Sequence, residues 1–578
     1  MIKNEIPFLA GLNPASIRAI QERMASVAVA GGTTLFEEGE EGDSLYTLVA
    51  GAVGISARDP SSGGVHRIAR LRPPETFGEM ALLTSAPRSA KATALRDTHL
   101  LRLSRSAFEE VIDLHPRTLI YFARLLAERL RTANSHRSLD AMPGTYALIA
   151  VTEGPPVAAF GHELARSLDA VLPGSTGCLT EWPSGADETW FHAFEADHDR
   201  TIYVAREIDC PWCRLCLRHA DHVLLFADPE VPPRPGAAEY IARIASDWVR
   251  IDLAIRQDPA AHLPRPLHPA LATLPVALRI QIRDGASSDY HRLARLISGT
   301  GRGLVLGGGG ARGLAHLGVL RALEEATLPV DFVGGTSMGA IIAASVAMGW
   351  NSAQIDAHTA DFFGRQNPLS DYTLPYIALT RGARVDAGLS AQFGGAKIED
   401  LWLPFFCVSS NLTTGDALIH RQGSLADALR ASIAIPGLLP PFCSAEGVLV
   451  DGGMMNNLPA DVMSAMQRGP VLAVDVGSDL AFQAVRSQTW HGRLMRRLLR
   501  APDDMPSIAP VLLRAATVSS DAQTTMALSR ATVVLKPSLA GVDLRAWSNF
   551  EATSRLGYLC AQEAIGEDRM TSWINPAS

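Results

Sequence analysis

The forty residues from Arg302 to Ile341 constrain the fold of this chain more than any other stretch. They open on Arg302-Gly-Leu-Val-Leu306, pass through four consecutive glycines, Gly307 to Gly310, and continue through Ala-Arg-Gly into an apolar-periodic run from Leu314 to Leu328. Pro-Val-Asp-Phe-Val-Gly follows, and then the pentapeptide Gly335-Thr336-Ser337-Met338-Gly339. Leu304 to Leu306 is a short buried-strand signal, and four glycines in a row cannot continue a strand. Leu317, Leu320 and Leu323 fall at helical spacing, with Glu324 and Glu325 on the solvent side. The order is strand, glycine loop, helix, strand, and a sharp turn that carries a serine into a second, Ala/Ile/Val-rich helix.

Two chemistries compete for this stretch. Gly308, Gly310 and Gly313 satisfy G-x-G-x-x-G between a strand and a helix, the dinucleotide-binding fingerprint, and Asp331 lies near the spacing of a ribose-binding acid. That acid belongs at the carboxyl end of the second strand, whereas Asp331 stands at its start. The carboxyl end runs instead into Gly335 to Gly339, which fits G-x-S-x-G, a strained strand-to-helix turn that exposes a serine hydroxyl above the sheet. We take Ser337 as a nucleophile and keep a dinucleotide-dependent oxidoreductase as the competing reading. The glycine loop then suits an oxyanion: the N–H groups of Gly308, Gly309, Gly310 and Ala311, with that of Met338, aim at one point, and Arg312 adds positive charge nearby.

A serine needs a base. Asp451 ends the apolar strand Val448-Leu-Val450 and precedes Gly452-Gly453, and the only histidine after it is His491, in an arginine-rich segment without site-like context. A Ser337–Asp451 dyad follows, with the carboxylate as base; the bland reading of Asp451 alone is an ordinary Asp-Gly turn. Gly-Gly-Gly-Ala-Arg-Gly (308–313), Gly-Thr-Ser-Met-Gly (335–339), Asp-Gly-Gly (451–453) and the run from Ala428 to Phe442 together resemble the patatin-like phospholipase family. The resemblance implies a serine acyl hydrolase with a Ser-Asp dyad, an oxyanion hole from the glycine loop, and phospholipid or lysophospholipid esters as substrates. Neither a metal nor a catalytic cofactor is expected.

A length of 578 residues is too great for one core. Before about residue 103 the chain alternates short strands with glycine turns, the pattern of a small β-roll. Within it, Phe77-Gly78-Glu79-Met80-Ala81-Leu82-Leu83 precedes Pro87-Arg88-Ser89-Ala90. One arginine beside a loop of N–H groups suits a phosphate, and a glutamate suits sugar hydroxyls. This resembles the phosphate-binding cassette of cyclic-nucleotide-binding domains. The resemblance implies that Arg88 pairs with the cyclic phosphate of cAMP or cGMP and Glu79 with the ribose 2′-hydroxyl, with Gly78 and Ser89 adding contacts. A fold that has lost its ligand, or a non-catalytic nucleotide-sensing scaffold, is the alternative.

A helix from Ser104 or Ser106, broken at Pro116 and running to Arg131, leads into a linker at Ala133 to Pro143. A strand then stands where a DNA-binding helix-turn-helix would come, and a net charge of −8 gives no electrostatic case for nucleic acid. Strands and helices alternate to about Glu230, the first loop lacks Gly-Lys-Ser/Thr, and a helix from Ala238 to Ile255 precedes a helical stretch to Ser298. Cys210, Cys213, Cys216 and His219 have metal-like spacing, but residues three apart drift around a helix, so we read half-buried helix cysteines. This insert resembles the one in neuropathy-target-esterase-like proteins, a subgroup of the patatin-like family.

The expected fold is multidomain. An N-terminal β-roll with flanking helices (1–140) is followed by an α/β and helical linker domain (141–300), an α/β patatin-like hydrolase core (301–480) and a helical segment completing the catalytic domain (481–578). The helix at Trp490 to Arg500 is basic and amphipathic, suited to a membrane surface or to packing. No run of about eighteen apolar residues spans a bilayer, no signal-peptide core is seen, and seven cysteines form no disulfide framework. A cytoplasmic protein, peripheral on a membrane at most, is the expectation.

Overall fold

The structure is a computed structural model that describes residues 14–58, 65–84, 86–116, 144–244, 249–365, 368–374, 376–477, 524, 527–542 and 547–575. The helix continuation to Arg131, the linker at Ala133 to Pro143, His491 and the Trp490 to Arg500 segment lie outside the described residues. The chain divides into two compact units, one of residues 1–227, 233–253 and 274–277 and the other of 228–232, 254–273 and 278–578.

The first unit opens with a β-roll of two four-stranded antiparallel sheets. One holds Ala25–Val29, Thr98–Ser104, Ser44–Ala50 and Thr76–Phe77; the other holds Thr34–Phe36, Lys91–Ala94, Val53–Arg58 and Val65–Leu71. Phe36, Tyr46, Leu48, Phe77 and Leu100 fill the space between them. Helices Pro14–Arg23 and Arg105–Leu114 flank the roll, the second capped by Ser104, whose Oγ accepts the Ala107 N–H.

An α/β segment follows in the same unit. Its parallel strands stand in the order Thr176–Leu179, Arg200–Ala205, Thr145–Ala150 and His222–Ala227. Roll and segment share a buried charge cluster. Arg96 of the roll donates to Glu195 at 3.0 Å and to the His219 carbonyl at 2.9 Å, while Arg70 and Arg72 pair with Asp221. Burial opposes the charge on Asp221, yet the three arginines hold its carboxyl well below the usual range. Cys210 caps the helix Pro211–His219, and Cys213 and Cys216 are buried in it. Among the described residues no group of three or more Cys, His, Asp or Glu side chains gathers as for a metal.

The helix expected from Ala238 to Ile255 ends early. It spans Ala237–Ile244, and Arg250–Gln257 is a strand, as is Leu278–Arg283 in the stretch expected to be helical up to the helix Ser287–Ser298. Ile251, Leu253 and Ile255 alternate with Asp252, Ala254 and Arg256, a period of two that a helix cannot keep on one face.

The second unit is built on a sheet of eight strands: β1 (Gly303–Leu306), β2 (Phe332–Thr336), β3 (Phe405–Asn411), β4 (Ala417–His420), β5 (Phe442–Ser444), β6 (Gly447–Asp451), β7 (Val471–Val474) and β8 (Val533–Leu535). The order is β5-β6-β3-β2-β1-β7-β8, with β4 paired to β3. β3, β2, β1, β7 and β8 are parallel, and β4, β5 and β6 form antiparallel pairs at one side. Strand β8 lies in the segment expected to be purely helical.

Helices α1 (Ala315–Glu325), α2 (Met338–Ala347), α3 (Leu425–Ser432) and α4 (Phe550–Gly566) complete the layers that matter to the site. α4 crosses α1 at near backbone contact: a Cβ on Gly318 would lie 1.8 Å from the Ser554 carbonyl oxygen, and one on Gly557 would lie 1.9 Å from that of Ala315. Trp573 is fully buried and donates its indole N–H to the Gly303 carbonyl at 2.9 Å. Asp331 lies at the start of β2, where Arg295 grips both its oxygens. It is therefore a structural carboxylate at the end of the strand opposite the glycine loop.

Candidate active site and nucleotide cassette

Ser337 sits between β2 and α2 with φ 55° and ψ −124°, a backbone conformation that a side-chain-bearing residue adopts only under constraint. The constraint is steric and polar. Gly335 and Gly339 let the two backbones touch: a Cβ on Gly339 would lie 2.1 Å from the Leu306 carbonyl oxygen. The Ser337 N–H donates to Ser432 Oγ at 3.0 Å, and that hydroxyl donates to the Val408 carbonyl at 2.7 Å.

The Ser337 hydroxyl donates to Asp451 Oδ2 at 2.6 Å. The other carboxylate oxygen accepts the Gly453 N–H at 2.8 Å. Asp451 reaches this position by a route the α/β pattern does not describe. Its strand β6 runs antiparallel to β3, with Ser409 opposite Asp451, while Thr336 pairs with Val408. β3 overshoots β2, and β6 returns along the overshoot to end level with the serine. Burial pushes the Asp451 carboxyl up to about 6, against the hydrogen bonds from Ser337 and Gly453 that lower it.

The glycine loop lies against the serine: a Cβ on Gly308 would come 3.2 Å from Ser337 Cβ. Its amides are not equivalent. The Gly308 N–H, expected among the oxyanion donors, is already given to the Asn457 carbonyl at 3.0 Å, and the Arg312 N–H goes to the Gly309 carbonyl at 3.1 Å. The Arg312 guanidinium donates through Nε to the Val542 carbonyl at 2.7 Å. Gly309 leads into the 3-10 turn Gly310–Leu314, and Met338 is the first residue of α2, where an N–H has no intrahelical acceptor; the Ser337 carbonyl is taken by Ala340 and Ile341. His316, on α1, donates from Nε2 to the Gly307 carbonyl at 2.9 Å. Burial pushes its pKa down to about 4, so the ring is neutral with its proton on Nε2.

Ser432, Asn457 and His316 were missed by motif reasoning. His316 and Asn457 stand within a few residues of recognised motifs, the glycine loop and Asp451-Gly-Gly453, and that adjacency was the only available signal.

In the roll, Gly78 has φ +85°, and a Cβ there would come 2.6 Å from Arg88 Nη1. Arg88 is buried, donating to the carbonyls of Gly78 at 3.0 Å and Ser44 at 2.8 Å, with its guanidinium carbon 4.0 Å from the centre of the Phe36 ring. Glu79 is buried next to Gly78, and Ser89 is exposed. The structure thus brings Gly78 and Arg88 into contact and leaves Ser89 at the surface.

Residues 304–464 match the family Patatin-like phospholipase, and residues 26–115 match the Cyclic nucleotide-binding domain. The "Uncharacterized NTE family protein Mb2594" of Mycobacterium bovis is 31% identical, over 97% of this chain and 95% of that protein. This chain belongs to the NTE family. Two fungal relatives are longer: Lysophospholipase NTE1 of Pyricularia oryzae is 28% identical over 95% of this chain and 43% of its own length. Lysophospholipase nte1 of Neurospora crassa is 27% identical over 96% and 43%. This NTE-family chain thus carries a patatin-like phospholipase domain, the domain of a carboxylic ester hydrolase, holding Ser337 and Asp451, and a cyclic nucleotide-binding domain holding Gly78, Glu79, Arg88 and Ser89. Among the described residues no helix is long and apolar enough to cross a membrane.

Proposed function

We propose that the protein is a serine acyl hydrolase acting on lipid esters of the phospholipid or lysophospholipid class, with Ser337 as nucleophile and Asp451 as general base. The observation that carries this reading is the 2.6 Å hydrogen bond from a strained-turn serine to a buried carboxylate with a raised pKa. Asp451 takes the hydroxyl proton as Ser337 Oγ attacks the ester carbonyl. The oxyanion is met by the N–H groups of Gly309 and Gly310, with Ala311 beside them, and of Met338. Collapse of the tetrahedral intermediate breaks the C–O bond, and Asp451 returns its proton to the departing alcohol. Water then attacks the acyl-enzyme, gives a proton to Asp451, and releases the fatty acid while Ser337 recovers its hydrogen.

Cyclic nucleotide, cAMP or cGMP, is the regulatory ligand of this reading, held by Arg88 with Gly78, Glu79 and Ser89, and it changes the hydrolase rate. A peripheral contact with the lipid surface accompanies turnover. The family match at residues 26–115 and the meeting of Arg88 with Gly78 support the nucleotide part. A fluorophosphonate probe tests the centre of the proposal: wild type is labelled, and Ser337→Ala is not. Labelling that persists in the variant moves the nucleophile elsewhere, and an unlabelled wild type that still binds nucleotide makes the chain a sensing scaffold.

A further inference from the structure

We infer that Asn457 is the positioning residue of the oxyanion loop, a role that rests on the Ser337–Asp451 reading above. Asn457 lies six residues after the acid, at the end of the turn that Asp451-Gly-Gly453 begins. It makes a reciprocal pair with Gly308. The Asn457 carbonyl accepts the Gly308 N–H at 3.0 Å, and the Asn457 side-chain amide donates from Nδ2 to the Gly308 carbonyl at 3.1 Å.

These two bonds fix two successive peptide planes. The first turns the Gly308 N–H toward Asn457 and so removes it from the set of oxyanion donors. On the far side of that same peptide, His316 holds the Gly307 carbonyl at 2.9 Å, so the plane is pinned at both ends. The second bond acts on the next peptide. In a trans peptide the C=O and N–H point in opposite directions. Holding the Gly308 carbonyl on Asn457 therefore directs the Gly309 N–H away from Asn457. Among the described residues no acceptor takes that N–H. It is a donor with a fixed direction and nothing to donate to, as an oxyanion donor must be before the intermediate forms.

Asn457 also ties the loop to the acid. A Cβ on Gly453 would come 2.8 Å from Asn457 Oδ1, and Gly453 is the residue whose N–H holds Asp451 Oδ1. One side chain thus sets the donor loop and packs on the turn that aims the base. Four glycines cannot hold one conformation by themselves, so an external clamp is needed, and Asn457 supplies it through its side-chain donor.

The test is Asn457→Ala and Asn457→Asp in the full-length protein. The second variant keeps the shape of the side chain and lacks the N–H donor. Both are assayed on a soluble p-nitrophenyl ester on the alkaline plateau, where a change in the Asp451 pKa does not alter the rate. We expect kcat to fall about 10- to 100-fold, somewhat less than loss of a donor itself, with KM within about twofold. Affinity for a trifluoromethyl ketone, which forms an oxyanion adduct on the serine, should fall in proportion to kcat, and the melting temperature of Asn457→Asp should stay close to that of wild type. An unchanged kcat in Asn457→Asp overturns the assignment. So does a rise in KM alone, or a loss of rate with ketone affinity intact. A wild type without any turnover or fluorophosphonate labelling takes down the dyad, and the Asn457 assignment falls with it.

Discussion

Asp451 and Arg88 are both charged groups sunk to 7% and 5% exposure, one in the hydrolase sheet and one in the roll, and their surroundings answer the burial differently. Asp451 meets one neutral hydroxyl and one amide, with no cation among the groups that shift it. Its charge is poorly compensated, and its proton affinity rises to that of a useful base near neutral pH. Arg88 has two donors on backbone carbonyls and its flat face near a phenylalanine ring. Two of its donors are occupied without a ligand, so an incoming phosphate must compete with the carbonyls of Gly78 and Ser44. On the proposed reading the first site is ready before substrate arrives, and the second would exchange internal contacts for ligand contacts.

The largest expected effect comes from removing the uncompensated charge. Asp451→Asn should lower kcat/KM on a p-nitrophenyl ester by at least about a hundredfold, the effect of losing a general base, as steady-state assay would read. A loss below about tenfold would mean that another group takes the proton. Next, Arg88→Ala should weaken cyclic nucleotide binding by about tenfold or more in calorimetry, since a charge-assisted contact is lost. Equal affinity in the two proteins would mean that Arg88 never leaves its carbonyls.

The raised carboxyl of Asp451 also sets a pH dependence. Asp451 must be ionised to act as a base, and its free-enzyme pKa is raised to about 6. Wild-type kcat/KM should therefore climb about tenfold per pH unit below 6 and level off above it, in a profile taken from pH 4.5 to 8.5. A midpoint near 4 would show a carboxyl that is solvated during turnover.

The smallest effect is on stability. A carboxyl raised on folding from its ordinary value to about 6 leaves wild type carrying a buried charge above that pH, and proton uptake relieves it below. Stability from this group is fully present below the unfolded pKa and lost as pH rises through 6. The melting free energy of wild type should thus gain about 1 kcal/mol on Asp451→Asn as pH falls from 8 to 5. A gap independent of pH would contradict the raised pKa.

The serine turn and the glycine loop were legible because each is a contiguous run whose backbone demands glycine. Gly339 against the Leu306 carbonyl is such a demand. The acid was legible as a residue type in an Asp-Gly-Gly turn, but the antiparallel course of β6 was not, because strand direction depends on pairing with β3 rather than on local pattern. Ser432 and Asn457 lie in or beside recognisable runs, but their roles are not legible for the same reason: their partners, Ser337 and Gly308, are 95 and 149 positions away in sequence. At Arg250–Gln257 period two is plain in the sequence, and the apolar face of the helix Ala237–Ile244 does not carry into it. Strand β8 has only three residues, Val533–Leu535, too few for a periodic signature.

The close crossing of α4 over α1 bears on where this domain ends. The stretch that matches the patatin-like family stops at residue 464, and every motif residue lies inside it. Gly318 and Gly557, however, seat a helix from the far carboxyl side directly on the one that continues from the glycine loop, and Trp573 plugs the base of β1. A fragment trimmed at residue 464 would keep the chemistry on paper and strip the wall behind it. For this enzyme the borders of the recognisable text and of the folding unit are more than a hundred residues apart.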